Sequence, residues 1–324
     1  MRFSFVDEAG SIENSKIIHI IEHGGYGTLH QLIEPLQEDL QQHVICTYNL
    51  ASMKFIRKHV HYIMHTTGNL YPIISNLKLL LDNRISVSIF LHVAPKYFEL
   101  KQKSFFLDYL SDIQSIYGLQ CFCPSKEVAL QYKSLEIDVK SIQIGFPDID
   151  INVNQHKFIL NTYCNKYITI CTSPDPRYIY LKGLNEFINI MEKNNKVNES
   201  LILGFDGKYR GVNCKKFQLE DFLYILGNAK AYIQLSITEA YNLTAVQAKR
   251  LRVPVIVSDV DGHKDCMKNF CNRLKSEEEF CEKIKLVSDI NCIDQNYEDS
   301  IRRETTENFI FSIKNNVYGG KIYE

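Results

Sequence analysis

Short apolar runs alternate with stretches of helical periodicity along almost the whole chain. The first half offers six candidate strands: Lys16–Glu22, His43–Tyr48, His61–His65, Ser86–His92, Leu119–Cys123 and Val139–Ile144. Between them lie helix-spaced patterns at Thr28–Gln41, Leu70–Leu81 and Phe98–Ile116. Strands separated by helix-length segments form βαβ units, which build parallel sheets. Gly145-Phe146-Pro147-Asp148 breaks the pattern, and the polar stretch from Ile151 to Asn161 has no clear strand character. The alternation restarts with strands Lys166–Cys171, Glu199–Leu203, Ala231–Leu235 and Val253–Ser258. Helices are expected at about Gly183–Asn194, Leu219–Gly227 and Leu243–Leu251, and the tail from Ser276 reads as helical and charged. The pattern predicts an α/β fold of two Rossmann-like, doubly wound parallel-sheet domains, 1–150 and 151–307. Such domains face each other across a cleft and bind ligands at the carboxyl ends of their strands.

Composition narrows the function classes. The chain has 324 residues, 45% of them hydrophobic, and a formal net charge of -1. No global field selects nucleic acid or an acidic surface. No apolar run approaches the roughly 18 residues that span a bilayer. The opening MRFSFVDEAG holds Asp7 and Glu8 and no apolar run of signal-peptide type. The ten cysteines are scattered, without a CxxC pair. A structural zinc site is therefore not expected, and reduced thiols in a cytoplasmic compartment are.

Four loops at strand ends could carry chemistry. Glu22-His23-Gly24-Gly25-Tyr26-Gly27 follows the first strand and precedes a helix. Its glycines would let backbone amides approach an anion, although a plain tight turn fits equally well. It does not match the GxGxxG fingerprint of dinucleotide sites. His92 ends the Ser86–His92 strand at the expected cleft. His61 and His65 lie within a strand-like run and read as structural. Arg177 and Lys182, five residues apart, follow the first strand of the second domain. Arg binds phosphate as a fork and Lys as a point charge, so the two could flank a diphosphate; a solvated basic loop is the plainer reading. Glu239 sits between the Ala231–Leu235 strand and a helix beginning near Leu243. The amides of Leu243 and Thr244 would lie at that helix start, suited to phosphate or sugar oxygens. Glu239 then makes sense as an acceptor for sugar hydroxyls. Asp148-Ile149-Asp150 and Asp259-Val260-Asp261 have the DxD form of a metal–nucleotide site. Three-residue patterns arise by chance among 38 acids, so no metal is assigned.

In this order the loops resemble those of the retaining GT-B glycosyltransferases of glycosyltransferase family 4, over nearly the whole chain. The resemblance is carried by Gly24-Gly25, a strand ending in His92, the Ser125-led helix and Gly145-Phe146-Pro147-Asp148. In the second half it is carried by Arg177, Lys182-Gly183, Glu239 through Gln247, the Val253–Asp259 strand and Asp261-Gly262. The Glu239 element is the most specific. The chain departs from the family at Gln247, where a second Glu usually binds the ribose hydroxyls. It departs again at Ala240 and Asn242, where glycines are common. An amide keeps an acceptor oxygen but adds a donor and loses charge.

The resemblance implies transfer of a sugar, with retention, from a UDP- or GDP-sugar to a glycan or lipid-linked saccharide hydroxyl. Arg177, Lys182, the amides near Gly24 and Gly25 and the helix start at Asn242, Leu243 and Thr244 would stabilise the leaving diphosphate in place of a metal. Glu239 would orient the donor sugar, Gln247 would face the ribose and His92 would touch the sugar. No cofactor beyond the donor is implied, and no nucleic-acid partner. A C-terminal helix, about 308–324, would pack back onto the first domain. Met53–His59 mixes cations with apolar residues. That fits contact with an anionic membrane at the inner face, and equally a solvated connection. Two alternatives stand beside this reading: a nucleotide-sugar epimerase on the same fold, and a non-catalytic subunit, which Gln247 favours.

Overall fold

The computed structural model describes residues 17–21, 42–46, 60–66, 70–142, 158–266 and 273–274. The chain divides into two compact units, Met1–Pro147 with Ile301–Glu324, and Asp148–Ser300. Each is built on its own sheet.

The sheet of the first unit holds β1 (Ile17–Ile21), β2 (Gln42–Cys46), β3 (His61–His65), β4 (Val87–Phe90), β5 (Gln120–Cys123) and β6 (Val139–Ser141). Their order is β2-β1-β3-β4-β5-β6, and every pairing is parallel. Strand direction of growth reverses beside β1, which has β2 on one side and β3 on the other. The described helices are α1 (Leu70–Asp82), α2 (Pro95–Leu100), α3 (Phe105–Tyr117) and α4 (Lys126–Lys133). One sheet face carries Ile18, Ile20, Tyr62, Met64, Ile89 and Cys121 into a core with Leu77, Leu80, Phe98, Leu110 and Tyr132. Side chains alternate across a strand, so the other face carries His19, His61, Ile63, His65, Ser88 and Phe90. These are buried too. A parallel sheet covered on both sides is ordinarily apolar on both; here one face is striped with polar groups.

The single helix expected over Phe98–Ile116 is two helices. Pro95 in the first turn starts α2 early, as its fixed φ allows. Gln102, at φ 56°, then turns the chain out of helical geometry before α3 begins. Gly118, left-handed at φ 67°, ends α3 and returns its amide to the Gln114 carbonyl.

The second sheet holds β7 (Tyr167–Ile170), β8 (Ser200–Leu203), β9 (Gly207–Tyr209), β10 (Val212–Lys215), β11 (Ala231–Gln234), β12 (Val255–Ser258) and β13 (Arg273–Leu274). The order is β13-β12-β11-β7-β8-β10-β9, parallel except for β9 against β10. The β9–β10 hairpin is not expected from the apolar pattern. Its turn is Arg210-Gly211, both at positive φ (46° and 84°), which suits a two-residue hairpin. Helices α5 (Pro176–Leu181), α6 (Leu184–Lys193), α7 (Leu219–Gly227), α8 (Leu243–Arg250) and α9 (Asp261–Cys266) complete the unit. Helix α6 buries Leu184, Phe187, Ile188 and Met191, one stripe at helical spacing. The order reverses beside β7, with β8 on one side and β11 on the other. In such sheets the crevice at the reversal, outside the carboxyl ends of the strands, is where ligands bind.

Candidate active site

The loops leaving β7 and β11 meet at that reversal. After β7, Asp175 caps α5 by accepting the Arg177 amide at 2.7 Å, and Pro176 occupies the first turn. Helix α5 ends at Lys182, and Gly183 follows at φ 61°. Glycine is required at 183 twice over. The φ is left-handed, and a Cβ there would stand 1.9 Å from the Leu235 carbonyl oxygen. The two loops are also tied by the Ile237 amide, which donates to the Leu181 carbonyl at 2.9 Å.

Lys182 is drawn to Glu239. Its Nζ lies 2.7 Å from Glu239 Oε2, and the two side chains are 19% and 14% exposed. Burial opposes the lysine charge, but the attraction and hydrogen bond of Glu239, with Tyr178 adding to them, outweigh it. The Lys182 pKa is raised above its ordinary value, so the ammonium stays charged. The Tyr178 ring centroid lies 5.9 Å from the same Nζ.

A buried polar network holds Glu239 in place. Ser236 Oγ donates to Glu239 Oε2 at 3.2 Å and accepts from Gln234 Nε2 at 3.1 Å. The same Gln234 amide group donates to the Lys182 carbonyl at 2.8 Å. Tyr232 OH lies 3.1 Å from Gln234 Oε1 and 3.3 Å from Asn242 Oδ1. Asn242 caps α8, its Oδ1 accepting the Ala245 amide at 2.9 Å. Asn242 Nδ2 donates to His263 Nε2 at 2.9 Å, and His263 Nδ1 donates to the Ser258 carbonyl at 2.8 Å. These contacts fix His263 as neutral with its proton on Nδ1. Burial holds its pKa below the ordinary value, with Glu239 and the Ser258 carbonyl pulling the other way. Helix α9 packs onto the Glu239 loop so closely that a Cβ on Gly262 would stand 2.0 Å from the Glu239 carbonyl oxygen.

The residues singled out in the sequence fall as follows. Lys182 and Glu239 are brought into contact. Arg177 is on α5 with its side chain 57% exposed, its Nη2 3.6 Å from Asp175 Oδ2. Asn242 commits its amide to the α8 cap and His263. Leu243 and Thr244 open α8, where the first amides have no partner within a helix. Gln247 lies on α8, 7% exposed. His92 follows β4, its Nε2 2.7 Å from His65 Nδ1. Gly24, Gly25, Asp148–Asp150, Met53–His59 and the expected C-terminal helix lie outside the described residues. Among the described residues, no helix is long and apolar enough to cross a membrane. Sequence reasoning passed over Tyr232, Gln234, Ser236 and His263. The available signal was Gln234, a polar residue inside the strand AYIQ, two positions from Tyr232 and so on the same face.

No family model matches the chain, and no curated protein matches its sequence. Solved structures do match. One is Anabaena Alr3699/HepE in complex with UDP and glucose: 12% identity, 94% of this chain and 98% of that one, TM-score 0.63. Another is a UDP-forming trehalose-phosphate synthase from Burkholderia xenovorans: 8% identity, 94% and 98% coverage, TM-score 0.62. A third is a trehalose-6-phosphate synthase studied for glycosyltransfer with retention: 9% identity, 94% and 99% coverage, TM-score 0.62. At this level of identity the likeness establishes the fold. The chain has the GT-B fold of two Rossmann-like units found in those glycosyltransferases.

Proposed function

We propose that the chain is a glycosyltransferase that takes a sugar from a nucleotide donor, UDP-sugar before GDP-sugar, and passes it to a glycan or lipid-linked hydroxyl with retention. The observation that carries this reading is the Lys182–Glu239 pair at the reversal of the second sheet. A cation beside a helix start suits a diphosphate, and a carboxylate beside them suits sugar hydroxyls. The fold likeness to proteins crystallised with UDP and UDP-glucose supports the same donor class.

In the mechanism, negative charge grows on the diphosphate as the sugar–phosphate bond breaks. Lys182, Arg177 and the amides of Leu243 and Thr244 stabilise it as fixed positive groups, without a resident metal. The arriving diphosphate gives Lys182 a second anionic partner, which leaves Glu239 Oε2 to accept from sugar hydroxyls. Ser236, Gln234, Asn242 and His263 hold Glu239 and α8 in register, so the anomeric carbon is oriented before reaction. Gln247 faces the ribose, and His92 addresses the sugar. A cytoplasmic setting fits Cys121, Cys123 and Cys171, which form no disulfide.

A second reading, a binding subunit without transfer, is favoured by the amide of Gln247. The experiment that separates them is donor turnover. The pure chain is incubated with UDP-glucose, UDP-GlcNAc and GDP-mannose, and released nucleotide is measured alongside thermal shift. Transfer or hydrolysis with a raised melting temperature supports the enzyme. A shift without release supports the binding subunit. Free N-acetylmannosamine from UDP-GlcNAc would mark an epimerase.

A further inference from the structure

The polar face of the first sheet contains a continuous row of three histidines. His19 Nδ1 lies 2.9 Å from His65 Nε2. His65 Nδ1 lies 2.7 Å from His92 Nε2. Ring centroids are 5.2 and 5.0 Å apart with planes inclined by 29° and 26°, so the rings meet edge to edge through their nitrogens. The row straddles the strand reversal, from β1 across β3 to the residue two past the end of β4. It therefore climbs toward the carboxyl edge of the sheet.

The surroundings hold the rings still. Phe90 lies against His65 and His92, with centroids at 5.6 and 4.6 Å. The His92 amide donates to Thr66 Oγ1 at 2.9 Å, and Thr66 Oγ1 donates to the Phe90 carbonyl at 3.2 Å. His61, on the same face, has its ring nitrogens 2.7 and 2.9 Å from Ser86 and Ser88 Oγ. The groups bearing on His65 besides its burial are His92 and His19, and on His92 it is His19. Burial, with those neighbours, holds His65 well below its ordinary value and His92 down to about 3, so both are neutral at pH 7.

A neutral imidazole has one N–H and one acceptor nitrogen. His65 uses both nitrogens within the row, so two proton arrangements are self-consistent. In the first, all three rings carry their proton on Nδ1. Protons then point from His19 toward His92, and His92 presents an Nδ1 donor. In the second, all three carry it on Nε2, and His92 presents an Nδ1 acceptor. The two arrangements carry the same charge and differ only in the direction in which the protons point along the row.

We propose that His65 and His19 are positioning residues for His92. They commit its Nε2 inward, leave Nδ1 as the nitrogen that meets a ligand, and couple the donor or acceptor state of that nitrogen to His19, two strands away. A hydroxyl can donate or accept, so the row lets one histidine serve either polarity. That the ligand is a donor-sugar hydroxyl rests on the function proposed above; the coupling does not.

The test is nitrogen-15 NMR of the full chain labelled at histidine, at pH 7. Long-range proton–nitrogen correlations distinguish the two tautomers. The expected result is that His19, His65 and His92 share one tautomer, and that His19→Phe shifts the His92 nitrogen signals although His19 does not touch it. Mixed tautomers, a charged His65, or His92 signals unmoved by His19→Phe would overturn the proposal. If the variant does not fold, the wild-type tautomers decide alone. In the same series His65→Phe should weaken UDP-glucose binding about three- to tenfold, the size of one misplaced neutral hydrogen bond, and leave UDP binding unchanged. Equal losses for both ligands would count against a role on the sugar. Failure of the wild type to bind either ligand would count against the glycosyltransferase reading, and the tautomer result would stand by itself.

Discussion

Lys182 and Glu239, 57 positions apart in the chain, form an ion pair at 2.7 Å that closes the strand reversal of the second unit. Both side chains are largely withdrawn from water. The pair therefore stands between an exposed ion pair of at most about 1 kcal/mol and a buried one of about 3–5. A double-mutant cycle of Lys182→Met and Glu239→Gln should return a coupling of about 1–3 kcal/mol in urea unfolding. Glu239→Gln should also abolish transfer. The same substitution leaves Lys182 without its anionic partner, so it carries a stability cost as well. Additive effects of the two changes would show that the pair does not couple.

Arg177 and Lys182 differ in setting, and their variants should differ accordingly. Arg177→Ala removes an exposed side chain and should leave the melting temperature within about a degree or two, a surface change of about 0.5 kcal/mol or less. Lys182→Ala should lower it clearly. Both should weaken UDP binding more than uridine binding. Titration calorimetry with the two ligands checks this, and equal losses would contradict the phosphate assignment.

Three glycines make a graded series. Gly118 has φ 67° and nothing within 4 Å of where a Cβ would stand, so Gly118→Ala should cost about 1 kcal/mol for the left-handed backbone alone. Gly183→Ala adds a clash with the Leu235 carbonyl, and Gly262→Ala a clash with the Glu239 carbonyl. Each should cost more than about 2 kcal/mol and reduce donor binding, because the displaced backbone carries the Glu239 loop. Equal melting temperatures for the three variants would refute the close approach.

Acid should weaken the first unit. Burial, with His19 adding to it, lowers His61 from 6.5 to about 4. Between those values the unfolded chain binds a proton that the folded chain does not. Stability is therefore unaffected by His61 above pH 6.5 and falls as pH drops toward 4. The loss from His61 is about 3 kcal/mol, and His92 extends the window lower. Urea midpoints that stay constant from about pH 7 to about 4.5 would contradict this.

Most strands were legible because a buried parallel strand is a short apolar run, and each expected strand is found with its ends shifted by a few residues at most. The short β9–β10 hairpin and the helix α5 were not, since neither has a full period of apolar repeats. Glu239 and Lys182 could be picked out by residue type and place in the order of loops. Their contact could not, because it depends on how β11 lies beside β7. His263 was hidden for a different reason. It is one of ten histidines, and its role follows from Asn242, 21 positions earlier. The histidine row was similarly invisible: His61 and His65 read as structural, and only strand register brings His19, His65 and His92 together.

The central claim is that a nucleoside diphosphate sits at the β7–β11 reversal. The direct measurement is the position of the phosphates in a crystal of the chain grown with UDP-glucose. The account predicts the diphosphate within hydrogen-bond distance of Lys182 Nζ and the Leu243 and Thr244 amides, with the glucose hydroxyls on Glu239. Phosphates bound away from these groups, with Lys182 still paired to Glu239 and no sugar beside it, would contradict it.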